Sequence, residues 1–204
     1  MRPDPILLAF DTSAAHCAAA LLCAGKIHTR IDEMARGQAE HLMPMLEEVL
    51  AAHGLAWRDL DAIGVGTGPG NFTGIRISVA AARGLALGLG IPAVGVSNFD
   101  AAAYGLPRPV DVLIPAPRDQ AYAQRLTETG AEAPRLLTPE DARPEVPALP
   151  RPAREMIANI AWIASERYET EATRPAPLYV RAADAAGLPS ALVPLVPLQP
   201  NRLG

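Results

Sequence analysis

The sequence predicts an α/β protein in which a mixed sheet is covered by helices. Three observations carry that expectation. The first half reads strand, strand, strand, helix, strand, helix, strand; half of the 204 residues are hydrophobic, enough to build a core; and a second, weaker copy of the theme starts near Val110.

Each element has its own signal. Ile6 to Phe10 is a continuous apolar run ending in Asp11-Thr12-Ser13, and His16 to Cys23 is a second run closed by Ala24-Gly25-Lys26. Together they predict a hairpin, with a third strand near Ile27 to Ile31. After Arg36-Gly37 the period becomes helical: Leu42, Leu46, Val49 and Leu50 share a face, Glu40, Glu47 and Glu48 fall elsewhere, and His53-Gly54 supplies a stop. Pro44 must sit in the first turn of that helix or kink it. Ala62 to Gly66 predicts a short buried strand, followed by a loop from Thr67 to Thr73 and a helix from about Gly74 to Leu89, with Thr73 placed to cap it. The body of this helix is small and apolar nearly all round, which predicts burial. Ile91 to Val96 gives another strand, and Ser97 starts a short helix.

Composition then shifts, with 17 of the 21 prolines lying after residue 91. The stretch from Pro134 to Pro152, carrying Pro139, Pro144, Pro147 and Pro150, can be neither a regular helix nor a central strand. Order is expected again at Ala153 to Tyr168, where Met156, Ile157, Ile160, Ile163 and Ala164 form a helical stripe, and at Leu178 to Arg181, a brief strand. From Pro189 onward the tail reads as extended. The boundary between two lobes is expected near Ser97, giving residues 1–97 and a smaller, proline-rich 98–204.

Several function classes are disfavoured. A net charge of -4 and a pI near 5.6 argue against gripping polyanions by bulk electrostatics. Cys17 and Cys23 have neither CxxC spacing nor a second pair, so both read as buried free thiols. His41 and His53 are about 120 degrees apart on a helix, and no HxxxH or HExxH pair exists, so no metal site is expected. No nucleophile, base and orienting group can be assembled into a protease. With no signal-like N-terminus and no run of about 20 apolar residues, a cytoplasmic location and no membrane contact are expected.

The most informative stretch is Gly66-Thr67-Gly68-Pro69-Gly70-Asn71-Phe72-Thr73-Gly74-Ile75-Arg76-Ile77, between a strand and a helix. Its glycines permit close backbone approaches, and the helix that follows offers unpaired N–H groups. It is therefore either an anion-binding corner or a tight structural turn, and it satisfies neither the P-loop nor the GxGxxG pattern.

The run from Gly68 to Ile77, the small-residue helix behind it and Gly90-Ile91-Pro92-Ala93-Val94-Gly95-Val96-Ser97 resemble the signature of the TsaB family. The early Ile6 to Ser13 run, Gln38-Ala39-Glu40-His41-Leu42-Met43-Pro44 and Pro177-Leu178-Tyr179-Val180-Arg181 resemble it in the expected order. The resemblance covers Ile6 to about Ala103 well and the remainder patchily. It implies the actin-like ATPase (ribonuclease H-like) fold: two related lobes with mixed sheets flanked by helices, the second reduced.

In that fold Asp11, Thr12 and Ser13 would face nucleotide phosphates and metal; the plainer alternative is a strand end and a capped turn. Asp11, Thr12, Ser13, Gly68, Gly70, Asn71, Thr73 and Arg76 thus form a candidate vestigial nucleotide or phosphate site, with Arg76 expected to find a carboxylate or a bound anion. Where relatives carry an Asp-Ala-Arg type turn this chain has Pro115-Ala116-Pro117-Arg118-Asp119, and where they carry a glycine pair it has Pro150-Arg151-Pro152. Proline has no N–H to offer, so binding of ATP or ADP with Mg is expected to be weak or absent.

By resemblance the chain is a non-catalytic dimerisation subunit supporting TsaD in forming threonylcarbamoyladenosine next to the anticodon of tRNA. A TsaE-type ATPase would join the complex, tRNA would be reached indirectly, and the chain would pair with itself when alone. The family packs first-lobe helices across the subunit boundary, which nominates His41, Leu42, Met45, Leu46 and Val49; the other reading is that this stripe covers its own sheet. Under the first reading Leu46→Glu breaks the complex and spares the fold. The competing function is an ATP-dependent enzyme of the sugar-kinase type, with Asp11 orienting metal or base.

Overall fold

The computed structural model describes residues 4–142, 144, 147–170 and 173–180. Five strands form the first sheet: β1 (Leu7–Asp11), β2 (His16–Cys23), β3 (Lys26–Glu33), β4 (Ala62–Gly66) and β5 (Ala93–Val96), in the order β3-β2-β1-β4-β5. β1, β2 and β3 are antiparallel neighbours, while β4 and β5 run parallel to β1. The parallel connections are made by α1 (Gln38–Ala51), which leads to β4, and α2 (Phe72–Leu89), which leads to β5.

Period-two alternation explains why this sheet is covered on both faces. Leu8, Phe10, Cys17, Ala19 and Leu21 point to α1 and α2, meeting Leu42, Met45, Leu46, Ile75 and Val79. Leu7, Ala9, Ala18, Ala20 and Leu22 point the other way and meet Ile157, Ile160, Ala161 and Ala164 of α4 (Ala153–Arg167). Gly64 on β4 lets α4 come close, since a Cβ there would sit 2.9 Å from the Cβ of Ala164.

The second sheet is an antiparallel meander, β6 (Val110–Pro115), β7 (Ala121–Thr127), β8 (Gly130–Ala131) and β9 (Arg135–Leu137), with β7 pairing all three others. One face rests on α3 (Asn98–Ala103), where Phe99, Ala102 and Ala103 meet Val112, Ile114 and Leu126. β9 lies inside the proline-rich stretch as an edge strand between Pro134 and Pro139, where a missing N–H is tolerated.

α4 follows Ser97 in the chain and covers one face of the first sheet, so the stripe Ile157, Ile160 and Ile163 belongs to that sheet's core. Several expectations need correction. α2 starts at Phe72 and its cap is Asn71, whose Oδ1 accepts from the Gly74 N–H at 2.8 Å, so Thr73 already lies in the first turn. Pro44 lies in the second turn of α1 and not in the first, leaving the carbonyl four residues back without that N–H, the condition under which a kink is expected. Leu178 to Val180 forms no strand: Leu178 makes a single backbone bond to Thr67, and Pro175 and Pro177 cannot donate. Arg181 and the tail from Pro189 lie outside the described residues. Finally, Cys23 is only half-buried, whereas Cys17 is fully buried.

Candidate functional site

β1 and β4 lie side by side and end together, so that Asp11 stands beside Gly66 at the C-terminal edge of the sheet. Ligands of open α/β sheets gather at such edges. The local fold is set by three glycines that match three consecutive residues of the β1–β2 turn. A Cβ on Gly66 would collide with Asp11 Oδ1, one on Gly70 would stand 2.5 Å from the Ser13 carbonyl oxygen, and one on Gly74 would collide with the Thr12 carbonyl oxygen. Gly68, at φ +89, supplies the left-handed turn that brings the loop round.

Hydrogen bonds then lock the two turns. Thr12 Oγ1 donates to the Gly74 carbonyl at 2.6 Å, and the Asn71 N–H donates to the Ser13 carbonyl at 2.7 Å. Asn98 at the start of α3 holds both sides, donating Nδ2 to Ser13 Oγ at 3.1 Å and to the Pro69 carbonyl at 2.8 Å, while its own N–H donates to Gly68. Asp11 Oδ2 accepts from the Ser13 N–H at 3.0 Å and from Ser13 Oγ at 2.8 Å, and His16 Nε2 stands 3.4 Å away. Asp11 Oδ1 is buried and meets no hydrogen-bond partner.

A cleft of about 290 Å³ opens above this corner, with Asp11, Ser13, His16 and Asn98 on one side and Ile114 and Ile160 among the apolar groups opposite. Its mouth widens past Asn71, Phe72 and the β6–β7 tip, where Arg118 and Asp119 take left-handed conformations.

Apart from Asp11 Oδ1, the polar groups named at this corner bond mostly to one another. Phosphate at a helix N-terminus needs N–H groups turned to the ligand, but those of Asn71 and Gly74 are spent on the chain's own oxygens. Pro115 and Pro117 have no N–H, and the carboxylate that would face a metal is held by Ser13 and His16. These residues do not fit Mg with a nucleoside polyphosphate. Nor do they fit a serine hydrolase: Ser13 gives its proton to Asp11 rather than to an imidazole, and His16 approaches the same carboxylate. Among the described residues no cluster of three His, Cys, Asp or Glu side chains could hold a metal ion.

Of the residues nominated from sequence, Asp11, Thr12, Ser13, Gly68, Gly70 and Asn71 meet at this corner, and Thr73 sits exposed on the adjoining first turn. Arg76 points away from it. Its guanidinium lies 3.9 Å from the centroid of the Phe72 ring and donates from Nε to Tyr179 Oη at 2.9 Å, so its partner is a pair of aromatic rings rather than an anion. Sequence reasoning missed His16 and Asn98. Nothing short of the fold points to them, because they reach the corner from a neighbouring strand and a helix start.

The nominated interface residues are also placed differently. Leu42, Met45, Leu46 and Val49 are all buried against the chain's own sheet, at 7% exposure or less. Their spacing of three and four is the apolar stripe of a covering helix, so Leu46→Glu would unfold the monomer rather than spare it. His41 is half-exposed and bonds Asp32 at 2.7 Å. The outer face of α1 is acidic, with Glu40, Glu47 and Glu48 exposed. α2 differs: by length and composition it is apolar enough to cross a membrane, yet only its inner side packs on the sheet, leaving Ala80, Gly84 and Gly88 exposed and Leu87 82% exposed.

Comparison with known proteins gives a consistent picture. Residues 28–176 match the model of a family described as TsaD, tRNA N6-adenosine threonylcarbamoyltransferase. The chain is 44% identical over 98 residues to the tRNA threonylcarbamoyladenosine biosynthesis protein TsaB of Haemophilus influenzae, covering 48% of this chain and 41% of that one. For the protein of the same name in Escherichia coli the figures are 36% over 99 residues, 48% and 43%. The chain thus spans less than half the length of these two curated relatives. An uncharacterised protein of Mycobacterium tuberculosis is 32% identical over 176 residues, 84% of this chain and 80% of its own length. Among solved structures, YeaZ from Pseudomonas aeruginosa superposes with a TM-score of 0.64 at 28% identity, covering 86% of this chain and 99% of that one.

Proposed function

The chain belongs to the TsaB/YeaZ family and has its actin-like ATPase fold, and on that premise we propose that it is the non-catalytic partner subunit of a complex that makes threonylcarbamoyladenosine in tRNA. TsaD is its partner in a heterodimer, and a TsaE-type ATPase joins the assembly. Alone the chain pairs with itself, and tRNA is reached through the complex, in the cytoplasm.

The observation that carries this reading is the outer face of α2. Leu87 stands out between Gly84 and Gly88, and a Cβ on either glycine would meet nothing within 4 Å. Small residues beside an exposed leucine let a second helix approach the backbone closely and cover apolar surface, at about 25 cal/mol per Å² buried. A non-catalytic role is supported by the corner at Asp11, where hydroxyl, imidazole and loop N–H groups are engaged with one another.

Gly84→Leu tests it. The site is open, and leucine is the better helix former by up to about 1 kcal/mol, so the monomer stays folded. Binding to TsaD, followed by size-exclusion chromatography and calorimetry, is expected to weaken at least tenfold. Unchanged co-elution would refute α2 as the docking face.

One observation favours the sugar-kinase-type alternative: the buried, unpartnered Asp11 Oδ1. Titration with Mg-ATP is expected to give no heat. Heat that disappears in Asp11→Ala would reinstate a nucleotide site.

A further inference from the structure

We infer that the groove along the outer side of α2 receives an acidic amphipathic helix of a partner protein, its carboxylates set on Arg83 and Arg174 and its apolar side chains on Leu87 and Ile91. The inference names the chemistry of the occupant and rests on the reading of α2 as the docking face.

The first support is charge. Arg83 and Arg174 are both exposed and line one groove of about 450 Å³. Among the described residues neither meets a carboxylate, and α2 itself contains no Asp or Glu. Arginines elsewhere are answered: Arg30 pairs with Asp32 and Glu48, Arg125 with Asp111, and Arg108 and Arg167 share Asp100. In a chain with 22 acidic against 18 basic residues, two uncompensated cations on one groove are a local surplus. A carboxylate from outside neutralises it and can take two N–H donors from each guanidinium. Arg76, a turn and more earlier on α2, is already held by the Phe72 ring and Tyr179, so the free positive charge belongs to the later half of the helix.

The second support is the floor of that groove. Leu87, 82% exposed, lies there with Ile91 and Pro175. A phosphodiester chain would use the arginines and leave this apolar surface wet. A wholly apolar helix would cover the floor but strip water from two charges without replacing it. A segment carrying both kinds of side chain serves the whole groove.

The third support is form. Ala80, Gly84 and Gly88 recur every four residues and are exposed, a shallow row into which the side-chain ridge of a second helix fits. The backbone groups along the body of α2 are bonded within the helix, so an extended peptide would find no main-chain partners there. α1, which covers the same face of the sheet, turns Glu40, Glu47 and Glu48 to solvent. These repel an acidic helix and keep it on α2.

The test is calorimetric binding of full-length TsaD to charge variants of the full chain. Arg83→Glu/Arg174→Glu is expected to bind about thirtyfold more weakly or worse, and Arg83→Lys/Arg174→Lys within about fivefold of the unmodified chain. Arg135→Glu, an exposed reversal on β9 of the second sheet, should change affinity by about twofold at most. All three should keep the circular dichroism melt of the unmodified chain, because the side chains concerned are exposed. Full affinity in Arg83→Glu/Arg174→Glu, with Gly84→Leu still weakening the complex, would overturn the acidic occupant and leave α2 as the docking face. No loss in either would remove that face and the inference with it. A loss matched by Arg135→Glu would overturn it too, since net charge alone would then explain the effect. So would tRNA that binds the chain without TsaD and is released in Arg83→Glu/Arg174→Glu, because the arginines would then serve phosphates.

Discussion

The two sheets are built on opposite plans. The first is clothed on both faces, by α1 and α2 on one and α4 on the other, whereas the second is a meander with one face on the six-residue α3 and a four-residue cluster on its other side. The larger lobe is nevertheless the dependent one. Its second face is closed by a helix that follows the entire second sheet in sequence, so the small lobe is in effect an insertion between β5 and α4. Burial decides how much that matters. Ile157, Ile160 and Ile163, each at 3% exposure or less, contribute about 1.5–3 kcal/mol apiece, together comparable with the whole stability of a domain, about 5–15 kcal/mol.

The sharpest way to break this comparison is to cut it. A chain ending at residue 97 is expected to show no cooperative unfolding transition by circular dichroism, because Leu7, Ala18, Leu22 and Val94 lose their cover. A fragment of residues 1–97 that melted cooperatively as a monomer would show that α4 is dispensable and would support a lobe boundary near Ser97.

Next in size is the glycine corner of the first lobe. In Gly74→Ala the new methyl meets the Thr12 carbonyl, an overpacking against backbone that cannot swing aside, and a loss of about 2–3 kcal/mol or more is expected in urea unfolding. Asn71→Ala removes only the cap and should cost about 1 kcal/mol, and Thr73→Ala, exposed and not the cap, should be near neutral. A Thr73 effect exceeding that of Asn71 would contradict the capping geometry.

The legibility of the sequence follows the same division. Strands β1 to β4 and α1 were readable because one-sided or two-sided burial writes a period into the residues, as in Leu42, Leu46, Val49 and Leu50. The glycine stretch announced close approach, but not what approached it, since Asp11, Thr12 and Ser13 are more than fifty residues away. Which side of α1 was inner could be read, whereas α2, small and apolar nearly all round, predicted general burial and instead leaves its outer side open, with Leu87 82% exposed. What covered the opposite face of the sheet could not be read, because the α4 stripe looks the same whichever sheet it serves. Arg76 misled for a local reason: the helix dipole called for an anion, while Phe72 and the distant Tyr179 provided ring faces.

Smallest in effect are the ion pairs that tie each sheet at its surface. In the first lobe Arg30 donates Nε to both carboxylate oxygens of Asp32 at 3.1 Å, and His41 Nε2 lies 2.7 Å from the same group. In the second, Arg125 faces Asp111 directly across β6 and β7, with one bond of 2.8 Å. The Arg30 bonds, aided by His41, hold the Asp32 carboxyl below its ordinary value despite some opposing desolvation. A depressed folded-state value means that the contribution is present above the unfolded value near pH 4 and is lost as pH falls through the folded one. Both acids are partly exposed, so the scale is that of surface pairs, about 0.2–1 kcal/mol. Asp32→Asn is expected to lower unfolding free energy at pH 7 by an amount at the upper end of that range and Asp111→Asn at the lower end. The Asp32→Asn difference should shrink toward zero near pH 2, and both differences should shrink in molar salt. An Asp32→Asn deficit that persisted undiminished in acid would mean that the carboxylate's charge is not what ties α1 to the edge strand.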